Sequence, residues 1–293
     1  MILDYISRIK SNITIHTNIK ASSILDGSYK SVFMGRSLNF EDLREYIPGD
    51  NIRDIDWKAS SRSRSLLVKR FIAEKKHNIM IVFDTGAKMN AHTDSMQLKR
   101  DVAIYVAGTI AYLTYSNGDF IGALYNLDGK MQFFPLRTRL YDVEHFLASY
   151  DKDVQDSNKS DLNKTLEYLL KNFRRKMVIF VVSDMKGINS LNEQVLKKLM
   201  CQHDMLFVNV NDATLTGKKD ITYKVDKNVF VPSFISENRK LAKIEQAIRQ
   251  DIMEKNEKML KHHAILSTDI SSKEEITRKL TELLEKHRYA NIR

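Results

Sequence analysis

FEDLREYIPGDNIRDIDWKASSRSRSLLVKRFIAEKKHNIMIVFD, residues 40–84, is the stretch whose reading decides the fold. Its first half crowds Arg44, Glu45, Asp50, Arg53, Asp54 and Asp56 around Pro48-Gly49 and the lone Trp57. Pro presets φ at the second position of a turn and Gly accepts a positive φ at the third, so a type II turn is expected there. Charges of both signs at this density are expected to pair, an Arg fork gripping a carboxylate through two hydrogen bonds. Trp57 is expected to supply the apolar mass on which such a knot packs. The second half reads as a strand over Leu66–Phe71, then an apolar run, Ile79–Phe83, that stops at Asp84. Together they read as a charged clasp followed by the first strand of an open α/β sheet.

Downstream, helical and strand patterns alternate. Asp94-x-x-Gln97 has the spacing of a capping box and opens a helix to about Tyr115 that is apolar around most of its circumference. Strands are expected over Phe120–Tyr125 and Lys130–Pro135, paired as a hairpin around Asn126–Gly129. Helices follow near Tyr141–Ala148 and Leu162–Phe173. Met177–Val182 is a continuous apolar run of the kind buried on both faces. A helix capped by Ser190-x-x-Glu193, a strand over Met205–Val210 and a hairpin insert near residues 213–235 come next. A long helix over Glu237–Leu260, a short strand over Ala264–Ser267 and a helix capped by Ser272-x-x-Glu275 complete the order. Upstream of the clasp, a short helix carrying Ile6 and Ile9 and a strand around Ile13-Thr14-Ile15 are expected. Alternation of this kind means a doubly wound, mostly parallel sheet covered on both faces. Asp84, Asp184 and Asp212 each follow a strand, so any site is expected at the carboxyl rim.

The chain of 293 residues carries 47 Lys and Arg against 37 Asp and Glu, a net charge of +10 that favours anionic surfaces without specifying a fold. One cysteine, Cys201, rules out an intrachain disulfide, suits a reducing cytoplasm, and in its helical setting reads as a small buried hydrophobe. The N-terminal residues lack a secretory pattern, and the apolar run Val102–Leu113 is too short to span a bilayer.

The signature Arg44-x-Tyr46-x-Pro48-Gly49-Asp50, then Arg53-x-Ile55-Asp56-Trp57, followed by a basic strand and an apolar strand ending in Asp84, resembles the bacterial family labelled domain of unknown function 58, a relative of von Willebrand factor A domains. The likeness continues through GDFIGALYN (118–126), VVSDMKG (181–187) and ILSTDI (265–270). The resemblance implies an N-terminal elaboration over residues 1–76 carrying the clasp, and an A-like α/β domain over residues 77–293. It also implies an accessory protein that works with a MoxR-type AAA+ ATPase in chaperone-like assembly or maturation of client proteins. A-domains that bind Mg²⁺ carry D-x-S-x-S after the first strand, because a hard cation takes oxygen ligands. Here those positions read Asp84-Thr85-Gly86-Ala87-Lys88: Gly86 offers no side-chain oxygen, and Lys88 places an ammonium where a hydroxyl belongs. Asp184 matches the distal acid of such a site and Ser160 stands at the threonine position. No metal or other cofactor is expected, and Lys88 is expected to neutralise Asp84 or Asp184.

Catalytic motifs are missing: there is no G-x-S-x-G, Walker A, G-x-G-x-x-G or H-E-x-x-H. A non-enzymatic interaction module is therefore the reading. Two alternatives remain: a charge-driven binder of nucleic acid or anionic membrane, and a Mg²⁺-dependent protein-ligand binder. The basic run of Arg62, Arg64, Lys69, Arg70, Lys75 and Lys76, with Arg174, Arg175 and Lys176, has no interleaved aromatics and no nucleic-acid-binding signature. It reads as a solvated face. Asp151, Asp153 and Asp156 read as a polar loop lacking the glycine and glutamate of a calcium loop. For the clasp, two readings stay open: a buried salt-bridge knot pinning the N-terminal segment to the sheet edge, or a docking surface.

Overall fold

A computed structural model describes residues 4–16, 24–30, 40–50, 52–63, 65–71, 76–154, 159, 161–216, 224–226, 229–230 and 232–290. Helix α1 (Asp4–His16) and a helix over 24–30 (α2) precede a two-stranded antiparallel unit, β1 (Phe40–Glu45) and β2 (Leu67–Phe71). Between these strands lie a 3-10 turn (Ile52–Asp54) and one helical turn, α3 (Trp57–Ser60). The main sheet takes β3 (Asn78–Phe83), β4 (Phe120–Leu127), β5 (Lys130–Arg137), β6 (Val178–Ser183), β7 (Asp204–Val210) and β10 (Leu266–Ile270). Their order is β10-β7-β6-β3-β4-β5, all parallel except β5 at the edge.

The sequence explains the central strands directly. Every residue of β3 and β6 is buried, as continuous apolar runs require when helices cover both faces. Alternation then sorts the side chains: Ile79, Ile81 and Phe83 enter one core cluster while Met80 and Val82 enter the other. The first cluster is closed by α1, α4 (Lys99–Ser116), α5 (Leu140–Asp153) and α11 (Ile276–Ala290). The second is closed by α6 (Leu162–Asn172), α8 (Glu193–Met200) and the last turns of α10 (Arg239–His262). A short helix, α7 (Met185–Asn189), follows β6. The insert contains a small hairpin, β8 (Lys224–Asp226) and β9 (Val229–Phe230), and leads through α9 (Ser233–Ser236) into α10.

Tertiary contacts overrode several local expectations. Residues 13–15 continue α1 instead of forming a strand, because Ile6, Ile9 and Ile13 share one helical face that sinks into the core. Gly108 makes room for that face: a Cβ there would lie 2.0 Å from Ile9 Cδ1. Helix α4 starts at Lys99, with no side-chain cap. Asp94 instead accepts from the backbone N–H of Thr214, and Gln97 reaches Lys273 and Glu274. Asn192, rather than Ser190, caps α8. The last strand falls at Leu266–Ile270, two residues later than its apolar pattern suggests, in register with β7. Cys201 is exposed, since it ends α8 instead of lying within it. Asp151 and Asp153 belong to α5 and accept the hydroxyls of Tyr5 and Tyr125, so they are not a loop; Asp156 lies outside the described residues.

Candidate functional site

The connection from β3 runs to β4 on one side, and the chain later returns to place β6 on the other side of β3. That reversal makes the carboxyl ends of β3 and β6 the switch point at which open α/β sheets hold ligands. Asp84 follows β3, Asp184 follows β6 and Asp212 lies two residues beyond β7. Asp84 and Asp184 are buried outright.

Two lysines are held among these three carboxylates. A 3-10 turn over Ala87–Asn90 aims Lys88 back towards the strand ends, its Nζ 2.9 Å from Asp84 Oδ2 and 2.8 Å from Asp184 Oδ1. The first residue of α4 supplies Lys99, whose Nζ donates to Asp184 Oδ2 at 2.9 Å and to Asp212 Oδ1. Asp184 thus carries one ammonium on each oxygen. Its Oδ1 also accepts from the backbone N–H of Gly187 at 2.8 Å, which caps α7. Asp84 Oδ2 accepts from Ser183 Oγ at 2.6 Å, Asp84 Oδ1 from the N–H of Gly86 at 3.1 Å, and the Asp84 carbonyl from Tyr150 Oη at 2.7 Å.

Burial opposes the charged forms of Asp184, Lys88 and Lys99, yet the opposite charges outweigh it. For Asp184, the attraction of Lys99 and then Lys88 holds the carboxyl far below its usual range. Asp84 and Asp184 drive Lys88 upward, and Asp184 and Asp212 do the same for Lys99. Asp184, Lys88 and Lys99 are thereby held in their ionised forms through the physiological range. Packing is tight enough to dictate a glycine: a Cβ on Gly187 would stand 2.0 Å from Ser183 Oγ and 2.7 Å from Lys88 Nζ. The side chain of Lys88 keeps 21% of its surface exposed and that of Lys99 keeps 1%.

Magnesium takes six oxygens at roughly 2.0–2.1 Å in octahedral array. These residues do not fit that requirement, because the space between Asp84 and Asp184 is filled by the Lys88 ammonium and Gly86 gives only its backbone N–H. Ser160 lies outside the described residues. Sequence reasoning missed Lys99. The available signal was a lysine leading an otherwise apolar helix, but nothing local tells that Asp184 and Asp212, far along the chain, would close on it.

Among the described residues, the clasp's strands β1 and β2 form a two-stranded sheet of their own, with no ladder to the main sheet. Its turn forms as read: Asp50 N–H donates to the Ile47 carbonyl at 3.0 Å across Pro48 and Gly49, with Gly49 at φ 111°. Arg44 grips Asp50 bidentately at 2.8 and 2.6 Å, and this pairing, with the Ile47 N–H, lowers the Asp50 pKa. Asp56 caps α3 through the Ala59 N–H at 3.0 Å and faces Lys69 at 3.6 Å. The Tyr46 N–H donates to the Leu66 carbonyl at 2.8 Å. Arg53 lies in the 3-10 turn, and its side chain is outside the described residues. Trp57 does not serve as the core of the knot: it is 63% exposed, and Ile47, Ile52 and Leu66 are exposed with it. Only Ile55 and Val68 of this unit are buried among its described hydrophobic residues.

Comparison with solved structures finds similar folds at low identity. The protein BatB from Bacteroides thetaiotaomicron aligns over 73% of this chain and 99% of its own, with a TM-score of 0.48 and 12% identity. A von Willebrand factor type A protein from Catenulispora acidiphila aligns over 74% of this chain and 43% of its own, with a TM-score of 0.40 and 10% identity. By sequence, uncharacterized proteins of Mycobacterium tuberculosis and Mycobacterium bovis are 26% identical over 196 residues. Those alignments cover 66% of this chain, which spans 61% of the length of these relatives. The matching family model runs over residues 42–262, from the clasp through the ion cluster to the end of α10, and the chain belongs to that family, described as protein of unknown function DUF58.

Proposed function

We propose that this protein is a non-enzymatic, metal-free adaptor that docks a MoxR-type AAA+ ATPase in the cytoplasm and serves the assembly or maturation of client proteins. The observation that carries the reading is the exposure of Trp57, Ile47, Ile52 and Leu66 on a two-stranded unit in which, among its described hydrophobic residues, Ile55 and Val68 alone are buried. A two-stranded hairpin is marginal alone and needs a partner surface to cover its apolar side. Trp is among the residue types that most often dominate binding energy at an interface. The ATPase as the occupant is taken from the family resemblance carried by the Arg44–Trp57 signature.

The ion cluster supports the non-enzymatic part of the reading. Its carboxylates are tied up in ion pairs with Lys88 and Lys99, and Asp184 is held far below the range of a general base, so no poised base or activated nucleophile stands at the strand ends. Among the described residues no helix is long and apolar enough to cross a membrane.

The test is capture of a purified MoxR-type ATPase by the immobilised chain, with and without nucleotide. Wild type is expected to retain the ATPase and the Trp57→Ala/Ile52→Ser variant to release it while keeping the wild-type melting temperature. Equal capture by both proteins, or no capture in either nucleotide state, overturns the reading.

A further inference from the structure

Glu245 and Arg249, one turn apart on α10, grip the segment of chain that leaves β7. Arg249 donates to the carbonyls of Asp212 and Ala213, each at 2.7 Å. Glu245 accepts the backbone N–H of Leu215 at 2.8 Å and that of Thr216 at 2.9 Å, together with the Thr216 hydroxyl. Each of these bonds has a charged side chain as one partner, which makes it stronger than a neutral one. Residues 212–216 are thereby strapped to α10 as one piece. From Arg239 to Lys255 that helix buries no residue; Asn256 and Leu260 fix its end to the domain.

The same strap meets the carboxyl rim of the sheet through polar contacts. Ala213 N–H donates to the His92 carbonyl at 3.0 Å, and Asp94 Oδ1 accepts the Thr214 N–H at 2.8 Å. Asp212 Oδ1 accepts from Lys99 Nζ. Further along the insert, β8 lies against the 3-10 turn that bears Lys88. Among the three acids of the cluster, Asp212 is the one that can leave. Asp84 and Asp184 balance Lys88 and Lys99 in formal charge without it, and Asp184 keeps a bond to each lysine. Breaking a buried ion pair is costly when one charge is left uncompensated, and here none is. Asp212 also keeps 21% of its side chain exposed, where Asp184 keeps none, and its Oδ2 has no partner among the described residues.

We infer that residues 212–216 and the outer part of α10 form a lid on the carboxyl rim, latched by Asp212 on Lys99 and able to open as a unit. Opening parts the strap from His92, Asp94 and Lys99, while Glu245 and Arg249 travel with it. The lid stays anchored at both ends: Asn211 N–H donates to the Ile270 carbonyl at 2.9 Å, and Asn256 Nδ2 donates to the Met185 carbonyl at 2.9 Å. Glu245 stands about 16 Å along the helix from Asn256, so a bend of about 10° there carries the strap about 3 Å, enough to break its bonds to the rim. The device gates access to the switch point of the sheet and leaves the balanced set of Asp84, Asp184, Lys88 and Lys99 in place.

The experiment is residue-resolved hydrogen exchange of the full chain, with Asp212→Ala and Glu245→Ala as variants. In wild type the Ala213 and Thr214 amides are expected to exchange while those of β3 and β6 stay protected, because the lid opens without unfolding the sheet. Asp212→Ala removes the latch, and exchange at Ala213 and Thr214 is expected to quicken about tenfold or more. Leu215 and Thr216 are expected to change far less in that variant, since Glu245 moves with them. Glu245→Ala is expected to do the reverse, freeing Leu215 and Thr216 first. Asp212→Ala is also expected to lower the melting temperature much less than Lys99→Met does. The inference fails if the strap amides of wild type and Asp212→Ala exchange no faster than those of β3 and β6, which makes the strap a fixed part of the fold. It fails as well if Asp212→Ala quickens all four strap amides alike, which is fraying and not the motion of a lid. A loss of stability in Asp212→Ala equal to that of Lys99→Met also overturns it, because Asp212 is then a permanent member of the cluster.

Discussion

Lys99 Nζ sits 2.9 Å from Asp184 Oδ2, joining the start of α4 to the end of β6 across a sequence separation of 85 residues. Both side chains are withdrawn from water. Charges placed so deep are tolerated only as a matched set, and removal of one member leaves another buried and uncompensated.

Lys99→Met is therefore expected to destabilise the fold by about 3–5 kcal/mol. Lys88→Met is expected to cost less, because the partly exposed Lys88 position lets water reach Asp84. Urea unfolding of both variants measures the difference, and equal losses would show that exposure does not separate the two lysines.

Gly187→Ala forces a methyl group against Ser183 Oγ and Lys88 Nζ. A loss of about 1–3 kcal/mol is expected from overpacking. The double variant with Ser183→Ala is expected to recover part of it, since the closest obstruction, at 2.0 Å, is gone. A double-mutant cycle by thermal or urea unfolding reads the coupling, and strict additivity would refute the contact.

Metal addition should leave the wild type unchanged. A ligand that binds only the native state raises its stability in proportion to RT ln(1 + [L]/Kd). With an ammonium already between Asp84 and Asp184, the melting temperature in excess Mg²⁺ is expected to equal that in EDTA. A clear upward shift with Mg²⁺ would show a cation site at the strand ends.

His203 gives a pH dependence whose sign can be worked out. It is 1% exposed, and burial lowers its pKa from 6.5, opposed by the Phe173 backbone and by Asp204, with Lys176 adding to the lowering. A histidine held below its unfolded value binds fewer protons when native. Its contribution is thus complete above pH 6.5 and lost as the pH falls below that value towards the folded pKa. Melting temperature is expected to drop between about pH 7 and about pH 5.5, and His203→Gln to flatten that drop. A variant with the wild-type pH profile would assign the effect elsewhere.

Trp57→Ala is expected to weaken partner capture by about 2 kcal/mol or more, roughly thirtyfold, with no loss of stability. Titration of the ATPase by calorimetry or surface binding measures it. A destabilised Trp57→Ala protein would instead mean that the ring packs within the fold.

The sequence by itself determined the sheet and its flanking helices, because continuous apolar runs such as Ile79–Phe83 and Met177–Val182 have few other ways to be buried. It also determined the turn at Pro48-Gly49 and the capping box at Ser272 and Glu275, whose chemistry is complete within a few residues. From the Lys88 substitution alone, the need for an acidic partner could be read, but not that two carboxylates would share it. Lys99 and Asp212 entered the cluster only when β3, β6 and β7 were laid side by side and the start of α4 was brought over them. Trp57 reversed its expected role for the same reason: whether an aromatic ring is buried depends on what packs against it, and no local pattern supplies that neighbour. The tertiary structure alone decided which charges meet and which apolar faces remain in water, because both depend on contacts between residues far apart in the chain.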